Sequence, residues 1–235
     1  MAIVPTCNSA TMPAMTSESP QTIEVETGAR PDAAVLWLHG LGADGHDFEP
    51  VVPELRLPPR LAVRFVFPHA PVRPVTINAG MRMRAWYDIL QLGGGPEDEA
   101  GIRASRRLLQ GLIEREKARG IAAHRIVLAG FSQGGAIALH TGLRCAEPLA
   151  GILALSTYLP LASSLAAERS DANRQVPLFQ AHGTFDDLIP IERAARTRDE
   201  LQALGYSVQW HEYPMPHSVC AEEIADIAQW LGNAL

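Results

Sequence analysis

Hydrophobic and polar residues follow two kinds of pattern along this chain, and together they predict a sheet with crossover helices. Several short runs are mostly apolar throughout, as expected for strands that are covered on both faces. These runs span residues 22–26, 34–38, 62–67, 125–129, 151–155, 176–181 and 207–213. Between them, apolar residues recur at helical spacing near residues 46–56, 98–119, 133–145, 190–204 and 219–234. Strands that alternate with helices predict an α/β fold, with a mostly parallel central sheet and helices on both faces.

Residues 68–95 interrupt this alternation. They contain Pro68, Pro71 and Pro74 and end in three glycines at 93–95. Loops of this length in compact domains are usually functional or mobile. We therefore expect this segment to border the functional site.

The length of 235 residues fits one domain. Residues 1–21 are rich in Ser, Thr, Pro and Met and show no periodicity, which predicts a flexible N-terminal tail. Residues 22–235 are then expected to form a single α/β domain, and a chain of this size buries roughly 70–75% of its unfolded surface. Such a core needs neither disulfides nor a structural metal.

The net charge and the cysteines indicate which partners the protein can bind and in which cellular compartment it is expected. The formal net charge of −6 argues against nucleic acid as a partner. Cys7, Cys145 and Cys220 are odd in number and widely spaced, which favours free thiols and a cytoplasmic location. No apolar run reaches about 18 residues, so we expect no transmembrane segment. The apolar loops would permit a homodimer.

Residues 130–134, Gly-Phe-Ser-Gln-Gly, join a predicted strand to a predicted helix with almost no loop. They fit the pattern Gly-x-Ser-x-Gly, in which a strained turn exposes a serine hydroxyl at the carboxyl edge of the sheet. Short matches of this kind also occur in plain turns. The position after a strand and before a helix favours the functional interpretation, so Ser132 is the candidate nucleophile.

A serine hydroxyl needs a base that takes its proton. The chain has eight histidines, and His217 follows the last predicted strand in a turn before the C-terminal helix. This order places His217 at the same sheet edge as Ser132. His39 and His182 also lie at strand ends, each before a glycine. We take His217 as the candidate base.

The third member of such a site is an acid that orients the imidazole. Asp186 and Asp187 both follow the predicted strand 176–181, and spacing alone does not choose between them. Asp187 lies shortly before Pro190 and the next helix, so helix capping is the structural alternative for it. Either choice gives the chain order serine, acid, histidine, which is the order of α/β-hydrolases.

The negative charge that develops in the transition state when such a serine attacks a carbonyl requires hydrogen-bond donors near the serine. Gln133 offers its backbone N–H at a helix start, and the glycine-rich run 38–45 follows an early strand. This run also matches the dinucleotide pattern Gly-x-Gly-x-x-Gly, but the next strand ends without the acid that would bind a ribose. We therefore expect no cofactor. No third ligand is spaced to join His182 and Asp186, so we expect no metal.

Several segments together resemble the carboxylesterase and acyl-protein thioesterase family, with the bacterial carboxylesterase branch as the most similar. They are LHGLGADG at 38–45, FPHAPVRPVTIN at 67–78, WYDI at 86–89, GFSQGG at 130–135, HGTFDD at 182–187 and PMPH at 214–217. The resemblance extends from about residue 33 to the C-terminus. It implies an α/β-hydrolase fold without a large cap domain.

The resemblance also implies roles for individual residues. The family's His-Gly-x-x-Asp pattern selects Asp186 rather than Asp187 as the acid, beside Ser132 as nucleophile and His217 as base. The oxyanion donors that it implies are the backbone N–H groups of Leu41 and Gln133.

The implied reaction is hydrolysis of short- to medium-chain carboxylic esters through an acyl-enzyme. Acylated proteins, with their acyl thioesters, and lysophospholipids are alternative substrates. A non-catalytic ligand-binding protein fits less well, because no residue of the triad is missing. The run Met83-Arg84-Ala85 departs from the family's usual Met-Pro-Ser-like run, so Arg84 is expected to alter the loop at the pocket mouth. Candidate substrate-binding residues are Leu41, Ile77, Leu90, Leu92 and Leu159.

Overall fold

The computed structural model describes residues 20–91 and 94–235. Its strands, in chain order, are β1 (Thr22–Glu26), β2 (Ala33–Leu38), β3 (Val63–Pro68), β4 (Val72–Val75), β5 (Met81–Arg84), β6 (Ile126–Phe131), β7 (Gly151–Leu155), β8 (Leu178–Gly183) and β9 (Val208–Tyr213). The central sheet has the order β1-β3-β2-β6-β7-β8-β9. Neighbouring strands run parallel, except that β1 is antiparallel to β3 at the edge. The predicted mostly parallel sheet is confirmed.

Helices cover both faces of this sheet. They are α1 (Val51–Glu54), α2 (Glu99–Ala118), α3 (Gln133–Gly142), α4 (Ala162–Glu168), α5 (Ile191–Ala203) and α6 (Ala221–Ala234). Apolar residues of α2, α3, α4 and α5 pack on one face, and those of α1 and α6 pack on the other. Within β2, Leu36 and Leu38 contact the first layer and Val35 and Trp37 the second. Burial from both sides explains why the strand sequences are continuously apolar.

The helix expected over residues 46–56 is reduced to the single turn α1. Turns and bends occupy residues 45–50, and Pro50 and Pro53 lack the backbone N–H that a longer helix would need. The prediction was therefore wrong in extent.

Residues 68–95 contain a hairpin that the sequence pattern does not reveal. In it β4 pairs with β5 in antiparallel register, with Val72 opposite Arg84. Each strand has only four residues, and Pro74 and Arg82 face each other across the pair. Short strands with a proline and several arginines give a weak strand signal, because neither residue type favours a sheet interior.

Most of the expected N-terminal tail, residues 1–19, lies outside the described residues. Within residues 20–91 and 94–235, no helix combines the length and the apolar character needed to cross a membrane.

The parallel strands bring the candidate chemistry to one edge of the sheet. β2 and β6 end together, with Leu38 beside Gly130, and β8 and β9 end together, with Gly183 beside Tyr213. The segments that follow these four ends carry the glycine-rich run 38–45, Ser132, Asp186 and His217.

Candidate active site

Ser132 is the single residue between β6 and α3. Its backbone has φ 54° and ψ −121°, a conformation that is strained for a residue with a side chain. Two contacts hold it there: the Ser132 N–H donates to Leu155 O at 2.8 Å, and Thr157 Oγ1 donates to Ser132 O at 2.6 Å. The strand–turn–helix arrangement expected for this segment is present.

The glycines on either side of this turn are required by close packing. A Cβ on Gly134 would overlap the carbonyl oxygen of Leu38, at the end of β2. A Cβ on Gly130 would overlap the backbone of Gly134. The turn therefore presses directly against the strand that leads into the glycine-rich run 38–45.

Asp186 and His217 are in direct contact. The Nδ1–H of His217 donates to Asp186 Oδ2 at 2.6 Å. Asp186 is buried, and its Oδ1 accepts the backbone N–H groups of Leu188 and Ile189 at 2.9 Å each. Asp187 is exposed, and the N-cap position of α5 is Pro190, with no side-chain capping bond from Asp187. Of the two acids that spacing left open, Asp186 is the one in contact with His217.

A second histidine lies behind this pair. His182 Nε2 donates to Ile189 O at 2.7 Å and lies 3.3 Å from Asp186 Oδ2. Burial lowers the pKa of His182 below its usual value, so it is neutral near pH 7. Its position at a strand end was visible in the sequence, but its contact with the acid was not.

Ser132 and His217 both line one cavity of about 390 Å³. The ring of Phe131 lies 4.7 Å from the imidazole of His217, centroid to centroid, and is tilted against it. Because Nδ1 of His217 is occupied by Asp186, Nε2 is the nitrogen left to accept a proton on the side of the cavity.

Gln133 opens α3, so its backbone N–H is one of the amides without a partner inside the helix. Its side chain is buried and bridges two backbone groups of the 68–95 segment. Gln133 Oε1 accepts the N–H of Trp86, and Nε2 donates to Tyr87 O, both at 2.7 Å. These bonds join the start of α3 to the segment around Tyr87, which lines the same cavity.

Leu41 lies on the glycine-rich run, which is held at both sides of this residue. Gly42 donates its N–H to Arg84 O at 2.9 Å. A Cβ on Gly40 would lie 3.5 Å from the Cβ of Ser132, so the run passes directly beside the serine. The side chain of Arg84 donates from Nη1 to Ala70 O at 3.0 Å. Its effect on the pocket mouth stays a prediction.

His39 fixes the same run from inside the protein. Its Nδ1–H donates to Gly40 O at 2.7 Å, and its Nε2 accepts the N–H of Ala70 at 3.0 Å. Trp86 Nε1 donates to the carbonyl of His39 at 2.9 Å. Burial lowers the pKa of His39 to about 4, so the ring is neutral and can both donate and accept.

The residues predicted to bind substrate lie in different places, and their role stays a prediction. Leu41 and Ile77 line the cavity with Ser132. Leu159 does not: it is buried in the core layer of α2 to α5, and its backbone N–H donates to Thr197 Oγ1. Leu90 is 38% exposed and lies on a small neighbouring cavity instead. Leu92 lies outside the described residues.

Other residues of the cavity wall were not singled out as substrate-binding in the sequence, because they come from segments that are far apart along the chain. They include Asp47, Tyr158, Leu188 and Arg193, together with Tyr87 and Ile89 from the segment 68–95 that was expected to border the site.

Comparison with known proteins places the chain in a family. The family described as phospholipase/carboxylesterase matches residues 20–235. An acyl-protein thioesterase 1 from Mycosarcoma maydis is 44% identical over 229 residues, covering 91% of this chain and 95% of the relative. An acyl-protein thioesterase 1 from Gibberella zeae is 42% identical over 213 residues, covering 86% and 91%. The crystal structure of Zea mays acyl-protein thioesterase 2 has a TM-score of 0.82 at 30% identity, covering 92% of this chain and 99% of that one.

The protein is thus a serine hydrolase with the α/β-hydrolase fold, acting on esters or thioesters. It belongs to the phospholipase/carboxylesterase family. These relatives are fungal and plant proteins, so they support the family and not the bacterial branch suggested by the sequence motifs.

Proposed function

We propose that this protein is an acyl-protein thioesterase, which hydrolyses the thioester between a fatty acyl chain and a cysteine of another protein. The observation that carries this proposal is the contact of His217 with Asp186 beside a mainly apolar cavity that also holds Ser132. The similarity to proteins named acyl-protein thioesterase supports the choice of a thioester over a simple oxygen ester.

In the first half of the reaction, His217 Nε2 takes the proton of the Ser132 hydroxyl while Oγ attacks the thioester carbonyl carbon. The tetrahedral intermediate collapses, the C–S bond breaks, and the cysteine thiolate leaves with the proton from His217. Water then attacks the acyl-enzyme with His217 again as base, which frees the fatty acid and regenerates Ser132. Asp186 keeps His217 in the required tautomer and stabilises its cation.

The backbone N–H groups of Leu41 and Gln133 stabilise the oxyanion of this intermediate. Their positions beside Ser132 support the assignment, since one lies next to Gly40 and the other opens α3. Loss of one such donor typically costs about 10²–10³-fold in kcat.

The acyl chain occupies the apolar part of the cavity. Leu41, Ile77, Ile89 and Leu188 supply apolar surface there. Removing a hydrocarbon chain from water releases about 0.8 kcal/mol per buried CH₂. This favours substrates with a long acyl chain over those with an acetyl group.

We also retain the cytoplasm as the proposed location. Of the cysteines within the described residues, Cys145 and Cys220 are free thiols, as a reducing compartment would leave them.

The test compares a peptide that carries an octanoyl group on cysteine with the same peptide carrying it on serine. Wild-type protein should release the thiol peptide with a higher kcat/KM than the alcohol peptide, and Ser132→Ala should release neither above background. Faster release of the alcohol peptide would make the protein a carboxylesterase instead. Equal activity of Ser132→Ala and wild type would overturn the mechanism.

A further inference from the structure

Arg193 is a charged residue of the catalytic cavity that the hydrolysis described above does not use. It lies in the first turn of α5 and lines the cavity that holds Ser132. It also lines a second cavity of about 350 Å³, as does Tyr158. The pair formed by Arg193 and Tyr158 therefore stands at the junction of the two cavities.

The guanidinium is held in a fixed orientation. Its central carbon lies 3.4 Å from the centroid of the Tyr158 ring. The Tyr158 hydroxyl is in turn hydrogen-bonded to the hydroxyl of the buried Tyr87 at 2.8 Å. Stacking of this kind covers one face of the guanidinium and leaves the N–H groups on its edge free to bind a ligand.

The charge of Arg193 is not neutralised by an adjacent acid. Among residues 20–91 and 94–235, no carboxylate oxygen lies within 4.0 Å of its nitrogens. Of the described residues that line the catalytic cavity, the other charged one is Asp47, on the segment after β2. The second cavity carries the acids Glu97, Glu192 and Glu200 beside Arg196. An anion is therefore favoured where Arg193 faces the catalytic cavity and disfavoured beside the acids of the second cavity.

We propose that Arg193 binds a carboxylate carried by the substrate, and so makes the protein selective for acyl substrates that carry a negative charge. The planar edge of the guanidinium matches the two oxygens of a carboxylate. This inference rests on the proposed function of Ser132. The carboxylate belongs either to the far end of the acyl chain or to the leaving group, and the test separates these sources.

The test uses two pairs of substrates that differ only in charge. In the first pair, p-nitrophenyl hydrogen suberate is compared with its neutral methyl ester, so that the charge lies at the acyl end. In the second pair, S-octanoyl-3-mercaptopropionate is compared with S-octanoyl-3-mercaptopropionamide, so that the charge lies on the leaving group. The readout is the ratio of kcat/KM within each pair. A general loss of activity cancels in this ratio.

Wild-type protein should prefer the charged member of one pair by about tenfold or more, as expected for hydrogen bonds to a charged group. Arg193→Met should bring that ratio close to 1. Arg193→Lys keeps a positive charge but lacks the planar edge, so it should retain only part of the ratio. The matched control is Arg198→Met: Arg198 also lies on α5 and stacks on an aromatic ring, that of Trp210, but it does not line the catalytic cavity. This variant should keep the full ratio.

A wild-type ratio near 1 in both pairs would overturn the inference, as would a ratio that survives Arg193→Met. If the ratio survives Arg193→Met, the role left for Arg193 is to hold Tyr158 in place. An unchanged ratio in Arg193→Lys would contradict the role of the planar edge, even if the Met variant failed to fold. These results differ from a failure of the proposed function, in which Ser132→Ala would hydrolyse the neutral substrates as well as wild type does.

Discussion

Asp186 and His217 come from different strands, yet Asp186 Oδ2 lies 2.6 Å from His217 Nδ1 because β8 and β9 end side by side. The other oxygen of Asp186 is bound by the backbone N–H groups of Leu188 and Ile189. The carboxylate that orients the imidazole is therefore itself fixed by the backbone. Its neighbour Asp187 is exposed, so the two acids can be tested against each other.

Asp186→Asn is expected to lower kcat by about 10⁴-fold, because an amide at this position favours the wrong tautomer of His217. Asp187→Asn is the matched control and should change kcat by less than about twofold, since surface substitutions away from special features have small effects. Steady-state kinetics on the octanoyl-cysteine peptide measures both. A larger loss in Asp187→Asn would assign the acid to that residue.

His39→Phe is expected to lower kcat by about 10²–10³-fold with little change in KM. The variant keeps a ring but loses the bonds to Gly40 and Ala70, so the N–H of Leu41 is no longer held toward the developing oxyanion. His69→Phe provides the control, because His69 Nδ1 accepts a bond from Gly45 on the same run but farther from Ser132. Equal losses in the two variants, or a loss confined to KM, would contradict a positioning role for His39.

His140→Leu is expected to flatten the dependence of stability on pH. His140 is fully buried on α3, and within the described residues neither of its ring nitrogens has a hydrogen-bond partner. Burial, reinforced by Arg144 and Arg106, lowers its pKa from 6.5 to about 3. Below about pH 6.5, His140 binds a proton in the unfolded chain but stays neutral in the folded protein. The free energy of unfolding therefore falls as the pH is lowered.

The contribution of His140 to this slope is about 1.4 kcal/mol per pH unit between about pH 6 and pH 4. Urea unfolding of wild type and His140→Leu over that range measures the difference. His39 still titrates in both proteins and cancels in the comparison. Parallel curves would mean that His140 titrates normally in the folded state.

Gly134→Ala and Gly111→Ala should have opposite effects. The new Cβ at position 134 would overlap Leu38 O, so we expect a loss of several kcal/mol of stability or no folded protein. Gly111 lies inside α2 with open space around it, and alanine there should stabilise by about 0.5–1 kcal/mol. Thermal unfolding distinguishes the two. A stable, active Gly134→Ala protein would show that the turn can move away from β2.

Much of the fold could be predicted because the central strands are buried on both faces and the helices α2, α3, α5 and α6 are long. The sequence also predicts the order Ser132, acid, His217, since each residue lies shortly after the end of a strand. The choice between Asp186 and Asp187 required either the family resemblance or the structure, because both follow the same strand end.

The remaining parts of the site depend on contacts that a linear pattern does not contain. Leu159 is apolar and was expected to line the acyl pocket, but it lies shortly before α4 and is buried in the core. The stacking of Arg193 on Tyr158 joins α5 to the segment after β7. The α4 helix itself has seven residues with little periodicity, so it gave no signal either.

The packing of Gly134 against Leu38 and of Gly40 against Ser132 divides the site into two parts with different tolerance to change. The turn that carries Ser132 and the glycine-rich run 38–45 are closely packed against each other, so a bulky substitution in one displaces the other. The opposite wall, around Ile77 and Leu188, is built from side chains of separate loops. Engineering of acyl-chain preference should therefore start at that wall, where substitutions change the shape of the pocket without moving Ser132 or His217.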